Sequence, residues 1–421
     1  MENISKKVLL ISHNPLSRVN NNGKTLVSLF EGVPDDNIYQ IYLNGDIPDY
    51  SNDCHYLQLN EMQILRSMIR GKNLCCREVD ATAEKVCSAT IQTGSFGIHT
   101  KRLAREWIWK FTFWKPKLKA WLEYKHFDVV FFMAGDGLFA YDVYRFVMEH
   151  VSAKGCLFFT DDYIIGRNSY SPIASLRQRL LKRKIRKTLL ITKELYVISE
   201  EMRKAYRNLF GMDSYVARNF SVEKKRGSHE QVAGQSDALT MVYAGGLHYN
   251  RWKVLAEIAN ALQKINQSSG EKCYLKVYSS QNLPDDITRC ITVENASTFM
   301  GSATASEIAD IYANADILVH VESFDKQAIA STKYSFSTKI PEYLSAGKCV
   351  LAVGPAEVAS IQYLSDFACV INDNDKIPDV LSNLVADSAY RDFIKSNCEE
   401  HYEVDFSRKK QADCLKNILS M

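Results

Sequence analysis

Apolar residues in this chain come in short unbroken runs, set apart by polar turns and by segments whose apolar positions recur every three or four residues. The runs at 8–11 (VLLI), 129–133 (VVFFM), 241–244 (MVYA) and 349–353 (CVLAV) show no alternation of apolar and polar positions. Strands buried on both faces, as in parallel sheets, read this way. Strands are predicted at 6–12, 38–43, 55–59, 127–133, 156–160 and 194–198, and a second series at 240–244, 273–278, 291–293, 316–321, 349–353 and 369–371. Helices are predicted from Thr25, over most of 61–95, in two pieces within 99–125 divided by Pro116, from a Ser199 cap through Phe210, and over 253–266, 306–313, 356–364, 377–386, 388–401 and 405–421. Strand and helix alternate, which predicts an α/β chain with parallel sheets.

The series is interrupted once. Residues 219–238 are polar, glycine-bearing and poor in apolar side chains, the composition of a linker. The expected organisation is a domain over 1–218, the linker at 219–238, a second domain over 239–404 and a final helix at 405–421. A chain of 421 residues, 46% apolar, is long enough for two cores. Its eleven cysteines are scattered, many within strand runs, with no C-x-x-C spacing. They read as reduced core residues of a cytoplasmic protein, and no metal site is expected. No run approaches the length of a membrane span, and a net charge of +3 gives no reason to expect nucleic acid.

Basic residues are nonetheless concentrated in two helices. Positions 177–187 hold seven Lys or Arg interleaved with Leu180, Leu181 and Ile185, and 99–125 places Trp107, Phe111, Trp114, Leu118 and Trp121 at helical spacing among lysines and arginines. Each is either a core-facing helix with a solvated basic face or a peripheral contact with an anionic membrane surface.

The densest chemistry lies in 335–354, SFSTKIPEYLSAGKCVLAVG. Ser337 and Thr338 are placed to cap a short helix, and Lys339 with the helix mouth suits a phosphate. Pro341 falls in the first turn, where it is tolerated. Glu342, about one turn from that phosphate, can accept hydrogen bonds from a ribose diol.

Residues 338–351 follow the pattern [ST]-K-[IL]-x-E-[YF]-L-x-[AS]-G-K-x-V-[LI], which resembles the donor-binding segment of GT-B glycosyltransferases related to family 4. The resemblance implies two Rossmann-like domains facing across a cleft, with the last helix crossing back to the first domain. It implies that Glu342 binds the donor ribose while Ser337, Thr338 and Lys339 hold the diphosphate. It also implies a catalytic-side glutamate eight residues before Glu342. Position 334 is Tyr, and the nearest upstream glutamate is Glu322, which makes Glu322 the candidate. The turn Gly245-Gly246-Leu247 after the first strand of the second half, followed by Arg251 and Lys253, matches the family's diphosphate contacts by position, with Gly at 246 where the family has Arg. Phe299 and Met300 are candidates for packing on the nucleobase or in the core.

In the first half, a loop at 13–25 ends in Gly23-Lys24-Thr25. This is either the end of a P-loop whose first glycine is replaced by Arg18, or the glycine loop of a GT-B first domain, with the backbone at Gly23 approaching the donor or the acceptor. Asp136, between Gly135 and Gly137 at a strand end, is a candidate acid/base or acceptor-hydroxyl ligand, with capping of the next helix as its alternative. Asp161 and Asp162, at the end of the 156–160 strand, are expected to make structural or acceptor contacts.

The expected function is a metal-independent, retaining glycosyltransferase that uses a nucleotide-diphosphate sugar as donor and needs no further cofactor. Its acceptor is a hydroxyl of a glycan or of a lipid-linked molecule at the inner membrane surface. A nucleotide-sugar epimerase, a P-loop ATPase and a non-catalytic membrane-surface binding protein are the alternatives.

Overall fold

The structure, a computed structural model, describes residues 5–18, 21–70, 76–81, 102, 105–111, 113–165, 172–220, 238–268 and 272–420. The chain forms two compact units, one of residues 1–219 with 411–421 and one of residues 220–410.

The first unit is built on β1 (Val8–Ser12), β2 (Ile38–Tyr42), β3 (His55–Gln58), β4 (Arg77–Val79), β5 (Val129–Ala134), β6 (Lys154–Phe159), β7 (Glu194–Val197) and β8 (Tyr215–Val216). They lie in the order β4-β3-β2-β1-β5-β6-β7-β8, parallel except for the β3–β4 pair. The second unit has β9 (Ala238–Ala244), β10 (Lys272–Tyr278), β11 (Ser297–Gly301), β12 (Ile317–Val321), β13 (Cys349–Val353) and β14 (Cys369–Ile371) in the order β11-β10-β9-β12-β13-β14, all parallel. Every residue of β1, β5, β12 and β13 is buried, as their unbroken apolar runs require.

Both sheets follow one plan. β1 pairs with β2 on one side and β5 on the other, and β9 pairs with β10 and β12. Connections leave in opposite directions from such a central strand, so a crevice opens at the carboxyl ends of the two strands that flank the reversal. In the first unit that point lies after Ser12 and Ala134, and in the second after Ala244 and Val321.

The last helix, Arg408–Leu419, is the crossing element. From residue 411 it belongs to the first unit, where Gln411 Nε2 donates to the carbonyls of Leu29 (3.3 Å) and Glu31 (2.9 Å) and Lys6 Nζ to that of Leu419 (2.6 Å).

Several elements differ from the sequence expectation. The strand expected at 291–293 is the end of a helix, Asp285–Ile291, which starts behind Pro284 with two aspartates in its first turn and buries Ile291. The strand lies later, at β11, so Phe299 and Met300 are strand residues rather than part of a following loop. The loop expected at 322–336 contains a helix, Lys326–Thr332, that buries Ala328 and Thr332. Within the mostly helical stretch expected at 61–95 there is a helix at Glu61–Arg70 and then β4; 71–75 and 82–95 lie outside the described residues, as does most of the expected linker. Pro116 does not divide a helix but sits in the first turn of Trp114–Leu122, where its missing N–H costs nothing. Trp114, Leu118 and Trp121 are buried there, so that half of the stripe is core, while Trp107 at its start is 58% exposed.

Asp162 is structural. Buried, it accepts hydrogen bonds from the backbone N–H groups of Ile164 and Ile165 and from the Tyr206 hydroxyl, each at 3.0 Å. Among the described residues nine cysteines are free thiols, seven of them buried, and no helix is long and apolar enough to cross a membrane.

Candidate active site

In the second unit the chain leaves β9 through Gly245 and Gly246. The Gly245 N–H donates to the Tyr278 carbonyl (2.9 Å), the Tyr243 hydroxyl to the Gly246 carbonyl (2.7 Å) and the Leu247 N–H to Gln281 Oε1 (2.7 Å), so the turn is pinned from three directions. A side chain on either glycine would displace neighbouring side chains. A Cβ on Gly245 would stand 3.0 Å from Lys339 Nζ, and one on Gly246 would stand 2.5 Å from His248 Nδ1. Tyr249 (φ 60°) and Asn250 (φ 61°) then take left-handed backbone, a strain of about 1 kcal/mol for a residue like tyrosine. They turn the chain into the helix Arg251–Ser268.

Arg251, its first residue, meets Glu322, the residue after β12. Arg251 Nη2 donates to Oε1 (2.9 Å) and Oε2 (2.8 Å) of Glu322, and Nε lies 3.3 Å from Oε2. The side chains are 15% and 4% exposed, so the pair has little water. Burial would push the Glu322 carboxyl up; His320, facing it, and Arg251 outweigh that and hold it below the usual range. His320 is itself buried, and its Nε2 lies 3.5 Å from Glu322 Oε1, beyond a normal hydrogen bond, with no closer partner. Glu322 is therefore placed as the carboxylate that holds Arg251, because both its oxygens are engaged.

Around this pair the structure brings together Gly245, Gly246, Arg251, Lys339 and a residue the sequence reading missed, His248. Its Nε2 lies 3.3 Å from Arg251 Nη1. Lys253 reaches Asp325 (3.3 Å) on an exposed rim, where the pair contributes little. The helix that carries Glu342 is short, Ile340–Ser345, with Pro341 in its first turn and Lys339 as its N-cap residue. Ser337 and Thr338 do not cap it. The Ser337 N–H donates to Ser360 Oγ (3.0 Å), and Ser337 Oγ lies 3.4 Å from the Lys339 N–H, so Ser337 shapes the turn before the helix. Glu342, half-buried, is one turn on from Lys339, and Tyr343 anchors the helix by donating to the Val319 carbonyl (3.2 Å). Phe299, half-buried, and Met300, exposed, lie on the edge strand, two strands from β9.

In the first unit, His13 follows β1 and Asp136 follows β5. Arg105 Nη2 lies 3.3 Å from His13 Nε2 and 3.2 Å from the Leu43 carbonyl; the same guanidinium pairs with Glu61 and covers the Phe139 ring at 4.7 Å. Burial and then Arg105 push the His13 imidazole down to about 4, so it is neutral at pH 7. Asp136 pairs with Arg102 (3.2 Å) and Arg177 (3.4 Å). It does not cap the next helix. Gly137 is the N-cap residue of Leu138–Met148, and Glu106 accepts from the Leu138 N–H (2.8 Å). Gly23 is explained by packing: a Cβ there would stand 2.6 Å from the Pro15 carbonyl oxygen and the Ser17 nitrogen. The close approach at Gly23 is between its own loop and helix.

The Glu322–Arg251 pair yields a direct test. In Glu322→Ala the guanidinium loses its carboxylate in a site with little water, and the second unit should lose about 3 kcal/mol of stability in chemical denaturation. A loss below about 0.5 kcal/mol, the range of ordinary surface substitutions, would contradict the assignment. Because the carboxyl titrates below its usual 4.5, this contribution is complete above pH 4.5 and fades as pH falls through the lowered value. The difference between wild type and variant should shrink on acidification.

No protein-family model matches the chain, and no curated protein matches its sequence. Solved structures do. An E. coli trehalose-6-phosphate structure bound with UDP-2-fluoro glucose superposes with a TM-score of 0.63 at 10% identity, covering 99% of both chains. An alpha,alpha-trehalose 6-phosphate synthase from Burkholderia multivorans gives 0.62 at 9% identity over 98% of this chain and 96% of its own. A glycosyltransferase from Rickettsia africae gives 0.60 at 13% identity over 99% of both. At such identities the likeness is one of fold, and the fold is GT-B: two Rossmann-like α/β domains in one chain, with the last helix returning to the first.

Proposed function

We propose that the chain is a glycosyltransferase that moves a sugar from a nucleotide-diphosphate donor to a hydroxyl. The observation that carries this reading is the set of nitrogen-bearing side chains at the β9 turn. Arg251, Lys339 and His248 gather at backbone kept bare by two glycines, at the point of the sheet where such folds bind ligands. Negative charge develops on the leaving diphosphate as the glycosidic bond breaks. Fixed cations stabilise it most where water is scarce, which is the reason to propose transfer without a metal or other cofactor. Glu342, one turn beyond Lys339, accepts hydrogen bonds from the ribose. Phe299 and Met300 keep their candidate role at the base, and Lys253 stands at the rim. Retention of configuration goes with the resemblance of 338–351 to family 4. Asp136 and His13 are proposed as acceptor-hydroxyl ligands of the first unit: a carboxylate accepts, and a neutral imidazole can do either.

The acceptor is proposed to be glycan or lipid-linked, reached at a membrane surface through the helix Pro172–Leu189. That helix buries Leu181, Ile185 and Thr188. Its other side exposes Ile173 (51%), Leu176 (58%) and Leu180 (43%), spaced to form one row, beside exposed Arg179, Arg183, Arg186 and Lys187. Apolar side chains within a basic field suit the interface of an anionic bilayer.

The nucleotide site is tested by thermal unfolding of wild type and Glu342→Ala with UDP, GDP, ADP and CDP, UDP first because one fold neighbour holds a UDP sugar. One nucleotide at about 100 times its Kd should raise the melting temperature by about 5 °C in wild type and much less in the variant. No response to any of the four would contradict the reading. For the membrane surface, sedimentation with vesicles containing anionic lipid should drop at least about tenfold in Leu176→Asp/Leu180→Asp and vanish with neutral vesicles. Equal sedimentation of variant and wild type would rule out this helix.

A further inference from the structure

The imidazole of His248 lies over the glycine turn. Its Nδ1 and Cε1 stand 2.5 and 2.6 Å from the point where a side chain on Gly246 would begin, so the ring fills the space that a residue at 246 would otherwise claim. Its Nε2 faces Arg251 Nη1 at 3.3 Å. A guanidinium can only donate, so this Nε2 accepts, and the imidazole is neutral with its proton on Nδ1. The groups facing it come from four places: Arg251 from its helix, Lys339 from the turn before Ile340–Ser345, Glu322 from the end of β12, and the Tyr249 ring, 4.9 Å away, from its own loop. Shielding of the ring, Arg251 and Lys339 all lower its basicity, and Glu322 opposes them without prevailing. Glu322 is already bound to Arg251 through both oxygens, so its charge is largely spent.

An incoming phosphate reverses each of these conditions. Its oxygens take the Nη1 donor away from His248, and its charge cancels the two cations. The Nε2 lone pair is then left beside an anionic oxygen, a contact that is favourable only once the nitrogen carries a proton. We propose that His248 is a ligand for the anionic phosphate of the donor and takes up a proton as that phosphate binds, so that donor affinity is coupled to pH. This rests on reading the β9 turn as the diphosphate site. The sign follows: protonation accompanies binding, so binding tightens as pH falls toward 6 and loosens as it rises toward 8.

Calorimetric titration of UDP and of inorganic pyrophosphate, in two non-phosphate buffers of different ionisation enthalpy at pH 6, 7 and 8, measures protons exchanged per ligand bound. The ligands' own protonation is common to all proteins and cancels in comparison. Wild type should take up about half to one proton more than His248→Gln, and its Kd should rise up to about tenfold per pH unit relative to that variant. His248→Lys, already charged, should bind without the extra proton at every pH, which covers the case in which His248→Gln binds too weakly to measure. Both variants should melt, unliganded, as wild type does. Equal proton uptake by wild type and either variant would overturn the role of His248 and leave the diphosphate site standing. Failure of wild type to bind either probe would overturn the site, and this proposal with it.

Discussion

Arg251 is tied through two of its nitrogens to a carboxylate that is 4% exposed, and the second unit's site is arranged around that pair. The carboxylate follows β12 and the guanidinium opens the helix after β9, so the pair joins the two strand ends that flank the reversal of the sheet. With Nε and Nη2 occupied, Nη1 is the edge that faces His248. A buried pair of this kind contributes little net stability over an apolar pair of the same shape, but losing one partner is costly, so it fixes position more than it stabilises. The strained residues Tyr249 and Asn250 are held in place by the same closure, since the turn they make brings Arg251 to Glu322.

The two units use the same topology with opposite chemistry at its crevice. After β9 and β12, cations outnumber the engaged carboxylate, which suits an anion. After β1 and β5, His13, Arg105, Glu61, Asp136 and Arg177 nearly balance, with carboxylates and a neutral imidazole beside arginines. Balanced donors and acceptors suit an uncharged polyhydroxyl surface. Under the proposed function the first of these would take the donor diphosphate and the second an acceptor hydroxyl.

Much of the fold was legible because buried parallel strands leave an unbroken apolar run. The strand at 369–371 and the helix at 377–386 fall where the pattern placed them. The errors have local causes. Ile291 and Val293 have the β-branched character of a strand, but Pro284 and two aspartates start a helix first, and the real edge strand alternates buried and exposed positions too weakly to stand out. Ser337 and Thr338 have the chemistry of caps, yet Ser337 is drawn to Ser360, a contact between residues 23 apart that no local pattern carries. His248 went unnoticed for a related reason. Its meaning lies in the missing Cβ of Gly246 and in the reach of Arg251, Lys339 and Glu322, and three of these come from other elements.

The central claim is that the β9 turn holds a nucleoside diphosphate. A crystal structure of the chain with bound UDP tests it most directly. The account predicts a phosphate oxygen within hydrogen-bonding distance, about 2.7–3.2 Å, of Arg251 Nη1, His248 Nε2 and Lys339 Nζ, with Glu342 on the ribose. A diphosphate seated elsewhere, with Arg251 still facing an unoccupied turn, would contradict it.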